Sequence, residues 1–91
     1  MNRTHETLVI TMEECGEVIQ ECSKMIRFGH LDSSEQLTNK KERLSKEVGD
    51  LMLMIDLLIE QQLIDPTIVC NQKIEKEARL RTYSNIYNET E

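Results

Sequence analysis

Two short acidic runs hold the residues best suited to chemistry. Glu13-Glu14-Cys15-Gly16-Glu17 and Glu47-Val48-Gly49-Asp50 each place two carboxylates three positions apart. On a helix that spacing means adjacent turns of one face, with Cβ atoms about 5–6 Å apart. If two such pairs met across antiparallel helices, Glu14, Glu17, Glu47 and Asp50 would surround one small volume. Oxygen donors of this kind suit hard divalent cations, Mg²⁺ or Mn²⁺, and Mg²⁺ usually keeps waters and takes substrate phosphate oxygens as its remaining ligands.

Spacing alone does not decide the matter. A third acid-x-x-acid pair stands at Asp32/Glu35, and with 17 acids in 91 residues about three such pairs arise by chance. Placement says more. Glu14 lies on the helical wheel beside Val18 and Met25, with no basic residue within four positions, and Glu47 and Asp50 flank Val48 and Leu51. Crowded, partly buried carboxylates repel one another and require cations or protons. The competing reading is a solvated face on which Arg43 pairs with Glu47 and Lys46 with Asp50. A ferritin-type di-iron site is disfavoured, since no Glu-x-x-His pair exists and His5 and His30 lie outside the acidic helices. A catalytic cysteine is disfavoured too, because no His has helical spacing to Cys15 or Cys22.

The elements that must position these acids are helices. Leu8, Met12, Cys15, Ile19, Cys22 and Ile26 alternate by four and three, which keeps one stripe on a helix, and Gly29 would cap its end. His30–Thr38 has turn and cap residues without an apolar period and reads as a loop. Leu44, Val48, Leu51, Ile55 and Leu58 repeat the same spacing, and Met52, Leu53, Met54, Leu57 and Ile59 make that second helix apolar almost all round. Such a helix is buried on several sides, which predicts an oligomer. Asp65-Pro66 supplies an N-cap and a first-turn proline for a third helix. The expected layout is a single domain over 1–91, with helices at about 4–28, 39–62 and 66–82 and a frayed polar tail at 84–91 in which Ile86 and Tyr87 could dock.

Composition narrows the field further. Three Gly and one Pro are too few for a β-sandwich, so the fold class is all-α. A net charge of −6 with acids crowded into the first quarter argues against nucleic acid as a partner. The apolar run Leu51–Ile59 is far too short for a membrane span, and Met1–Ile10 lacks the length and flanks of a signal peptide, so the expected setting is cytoplasmic. Three cysteines, an odd number, predict reduced core thiols rather than a disulfide framework.

Glu-Glu-x-x-Glu at 13–17, followed by Glu-x-x-Asp at 47–50 within Leu44-Ser-Lys-Glu-Val-Gly-Asp-Leu-Met, resembles the signature of the MazG-like nucleoside triphosphate pyrophosphohydrolases, an all-α superfamily. The segments EECGEVIQECSKMIRFG (13–29) and NQKIEKEARLRTY (71–83) look like small stand-alone members, many of them in bacteriophages. The resemblance extends over about residues 7–83. It implies antiparallel helices forming a four-helix-bundle core across subunits, in a homodimer or homotetramer. It also implies Mg²⁺-dependent cleavage of a nucleoside triphosphate, (d)NTP, to the monophosphate and pyrophosphate. Glu14, Glu17, Glu47 and Asp50 match the metal ligands, Glu13 matches the extra glutamate, and Lys73 and Lys76 match basic residues that approach the phosphates.

On that reading Glu13 or Glu14 would accept the proton of the attacking water. Lys24, Arg27, Lys73 and Lys76 are the candidates for the β- and γ-phosphates. Against this, Lys24 could simply pair with Glu21, and Lys73 and Lys76 with Glu77 and Glu75. Twenty-nine residues separate Glu17 from Glu47, long for the family, which marks His30–Thr38 as an insertion. Phe28, Tyr83 and Tyr87 are the only aromatics, so weak base selectivity is expected. Two rival functions are a non-catalytic oligomeric helical module and a nucleotide-binding sensor.

Overall fold

Asn2 starts the first helix by accepting the His5 N–H at 2.7 Å on its side-chain oxygen, which satisfies one of the free donors of a first turn. The computed structural model describes residues 1–28 and 34–88, with 34–37 described by their backbone alone. Helix α1 spans Arg3–Arg27, α2 Ser34–Glu60 and α3 Pro66–Tyr83, and there is no strand among the described residues. No helix is long and apolar enough to cross a membrane among them.

The loop expected over His30–Thr38 is corrected in part. Ser34–Thr38 belong to α2, because Glu35, Gln36 and Leu37 are good helix formers with no Gly or Pro among them; an apolar period was the wrong test for them. Residues 29–33, including the expected cap Gly29, lie outside the described residues. Phe28 occupies the C-cap and donates its N–H to Lys24 O at 3.0 Å.

Helices α1 and α2 form an antiparallel hairpin. Arg3 pairs with Glu60 at 3.1 Å and Gln61 Nε2 donates to Thr7 Oγ1 at 2.8 Å at one end, while Lys40 lies over the Phe28 ring at the other. Helix α2 ends in a Schellman turn: Leu63 N–H donates to Leu58 O and Gln62 N–H to Ile59 O, with Gln62 at φ 59°. Helix α3 opens with Asp65 Oδ1 accepting the Thr67 and Ile68 N–H groups and forms no extended interface with the hairpin. At its C-cap, Ser84 Oγ donates to Leu80 O and accepts Ile86 N–H, and Arg81 stacks over Tyr87 at 4.2 Å, so the start of the tail is held to α3.

The molecule measures 45 × 31 × 15 Å. Fifteen ångströms is little more than one helix diameter, and the radius of gyration of 16.2 Å exceeds the roughly 12 Å of a globule this long. One layer of helices cannot enclose a core. Only Met54 (7% exposed) and Leu58 (8%) are buried apolar residues among those described.

The apolar stripe of α1 faces away from its partner. Met12 is 73% exposed, Ile19 68% and Ile26 77%. Cys15, Cys22 and Cys70 are exposed as well, which corrects the expectation of core thiols. The face turned to α2 is the neighbouring one, carrying buried Thr7 and Glu21 and half-buried Glu14 at seven-residue intervals. One residue step along a helix rotates the side chain by about 100°, so these two stripes are distinct faces.

Candidate metal centre

The hairpin brings three carboxylates together. One oxygen from each of Glu14, Glu47 and Asp50 lies within 4.8 Å of the others. Glu14 comes from the inward face of α1, and Glu47 and Asp50 from adjacent turns of α2. Glu14 and Glu47 are half-buried and Asp50 is exposed, so the group sits at the rim of the helix interface and opens to solvent.

Its electrostatics are unrelieved. The pairing partners expected on a solvated face are absent: Lys46 bridges to Glu42 at 3.2 Å instead, and neither Glu47 nor Asp50 makes an ion pair among the described residues. Glu14 Oε2 is buried with no hydrogen-bond partner. Burial raises the Glu14 carboxyl above its ordinary value, and the charges of Asp50, Glu17 and Glu13 push it further. Burial likewise raises Glu47, followed by Glu17, Asp50, Glu14 and Glu21. Both groups need a proton or a cation to compensate them.

A hard divalent cation fits this donor set. At metal–oxygen distances of about 2.0–2.6 Å, two oxygens bound to one ion stand at most about 4–5 Å apart, and the three oxygens lie within 4.8 Å of one another. A carboxylate oxygen without a hydrogen-bond partner is also a free ligand lone pair.

The other site residues are distributed as follows. Glu17 is exposed and outside the group of three, although its charge acts on both Glu14 and Glu47. Glu13 is exposed next to Glu14. Lys24 pairs with Glu21 at 3.5 Å, and the Arg27 guanidinium lies 5.0 Å from the centre of the Phe28 ring. Lys73 and Lys76 are exposed on α3, around an apolar groove with Ile68, Leu80 and Tyr87, and Glu77 pairs with Arg81 rather than with either lysine. The single chain does not gather those two lysines at the carboxylates. Spacing passed over Glu21, which is 8% exposed with Oε1 buried and unpartnered. Its position seven residues after Glu14 was the available signal.

No curated protein and no solved structure matches the chain. A protein-family match covers residues 3–81, described as the MazG nucleotide pyrophosphohydrolase domain, and it runs through all three helices and both acidic runs. With the acids of those runs meeting across one helical hairpin, the chain belongs to the MazG nucleotide pyrophosphohydrolase family.

Proposed function

We propose that this protein is a Mg²⁺-dependent nucleoside triphosphate pyrophosphohydrolase that converts (d)NTP to (d)NMP and pyrophosphate. The observation that carries the reading is the convergence of Glu14, Glu47 and Asp50 with no basic partner among the described residues. Glu14, Glu47 and Asp50 would hold the cation, with Glu17 completing the set from the next turn of α1. When bound, Mg²⁺ would supply counter-charge for the triphosphate and Lewis acidity at the α-phosphorus; Mn²⁺ would serve the same donors.

The chain's own residues supply the rest. Glu13, exposed beside Glu14, would accept the proton of the water that attacks in line, and Glu14 is the alternative acceptor. Lys24 and Arg27, near the end of α1, would hold the β- and γ-phosphates. Their charge is needed because a chain of net charge −6 otherwise repels a polyanion.

The working form is a homodimer or homotetramer. The exposed stripe Met12, Ile19, Ile26 on α1 and the exposed Met52 and Leu53 on α2 are the faces a second copy would cover, giving four helices around a shared core. That assembly would also give Lys73 and Lys76 of α3 a route to a carboxylate group. The test is a screen for Mg²⁺-dependent pyrophosphate release over the common NTPs and dNTPs. Release from at least one triphosphate, abolished by EDTA, is expected; no release from any of them would overturn the assignment and favour a nucleotide-binding sensor or a non-catalytic module.

A further inference from the structure

We propose that the cavity between the end of α1 and the start of α2 receives the polyphosphate end of a Mg²⁺-bound substrate, with Lys40 and Arg43 of α2 as phosphate-binding residues. This rests on the pyrophosphohydrolase reading and extends it to residues outside the acidic motifs. The cavity holds about 300 Å³ and is lined by Glu21, Lys24, Phe28, Asn39, Lys40 and Arg43. Among the described residues its wall carries three cations and one acid, a charge of 3 − 1 = +2, within a chain whose net charge is −6.

Lys40 and Arg43 make no ion pair among the described residues, and the nearby acid Glu42 is taken by Lys46. The Phe28 ring gathers positive charge, with Arg27 at 5.0 Å and Lys40 Nζ at 5.6 Å from its centre. A ring engaged by two cations is poorly placed to stack a base, and its negative face favours cations. Glu21, nearly buried, holds Lys24 through Oε2 at 3.5 Å and leaves Oε1 without a partner. Through that ion pair Glu21 is a positioning residue for Lys24.

The cavity also adjoins the carboxylates. Arg43 stands one helical turn before Glu47 on α2, and Glu21 stands one turn after Glu17 on the same face of α1 as Glu14. A triphosphate with its α-phosphate at Glu14, Glu47 and Asp50 would thus run its β- and γ-phosphates along the same groove into the cations.

Calorimetric titration of the full chain with Mg²⁺-pyrophosphate, and separately with a Mg²⁺-nucleoside monophosphate, tests this. Wild type should bind pyrophosphate. Arg43→Gln and Lys40→Gln should each weaken that binding about tenfold, as loss of one charge-assisted contact does, with monophosphate affinity and helical circular dichroism unchanged. Arg43→Lys should recover most of the loss, since it restores the charge. No pyrophosphate binding by wild type, unchanged affinity in both Gln variants, or a loss confined to the monophosphate would each overturn the assignment. The parent reading fails separately: absence of any hydrolysis with Arg43-dependent pyrophosphate binding intact would refute the enzyme and keep the cavity, while hydrolysis with unchanged KM in both Gln variants would keep the enzyme and refute the cavity.

Discussion

Glu14 on α1 and Asp50 on α2 face each other across the helical hairpin, with carboxylate oxygens within 4.8 Å and neither residue in an ion pair among the described residues. That arrangement costs stability whenever both are ionised and no cation is present, which makes the site measurable even without turnover.

In EDTA, the pH dependence of stability should carry the signature of Glu14 and Glu47. Their folded values lie above the ordinary 4.5, so the folded state holds more protons than the unfolded one over that interval. Their contribution is therefore fully present below pH 4.5, falls as pH rises through the raised folded values, and then stays constant. Thermal melts should show this loss in EDTA and a much smaller one in Mg²⁺, because a bound cation replaces the protons. Glu14→Gln should raise the metal-free melting temperature at neutral pH and lose the response to Mg²⁺. Identical melts with and without the cation would show that the carboxylates do not bind it.

Ile19→Asp should separate assembly from folding. Ile19 is exposed in the single chain, so the hairpin alone should tolerate the change within about 0.5 kcal/mol. In a four-helix assembly the same charge would be buried without a partner and would dissociate it. Light scattering should give a wild-type mass well above 10.7 kDa and a lower mass for the variant, with helicity retained. A folded wild-type monomer at micromolar concentration would contradict the proposed assembly.

Gln62→Gly should stabilise the protein by about 0.5–1 kcal/mol, as the left-handed conformation costs a side-chain-bearing residue more than glycine loses in chain entropy. Gln62 sits at φ 59° in the turn after α2, and its two helix-ending hydrogen bonds use only backbone atoms. Chemical denaturation checks this, and Gln62→Val should shift the midpoint the other way.

Substrate preference should be broad. Phe28 is engaged by Arg27 and Lys40, and Tyr83 is fully outside the hairpin on α3, so little rigid surface remains to surround a base. Ratios of kcat/KM among triphosphates should fall within about ten- to a hundredfold. A preference above about 10⁴ would mean that subunit contacts build a closed base pocket.

Much of the site could be read from the chain. Residues three apart on a helix must share a face, so Glu47 and Asp50 were legible as neighbours before any fold was known. The alignment of α1 against α2 was not. Spacing shows which residues share a face but not which face a partner takes, and here the packed face of α1 is the Thr7, Glu14, Glu21 series rather than the more apolar Met12, Ile19, Ile26 series. The period that looked like a core stripe is an outward surface, because a 15 Å slab leaves a second face for something else to cover. Asp65-Pro66 marked the start of α3 through local chemistry alone, whereas the start of α2 at Ser34 followed helix propensity without any apolar period.

The central claim is that carboxylates converging across the hairpin bind the cation on which hydrolysis depends, and Glu47→Gln tests it most directly. The amide keeps the shape and removes the charge. Pyrophosphate release at saturating Mg²⁺ and triphosphate should fall at least about a hundredfold, since several kcal/mol of charge stabilisation are lost, while circular dichroism stays that of the folded helices. Turnover equal to wild type in a folded Glu47→Gln protein would contradict the account.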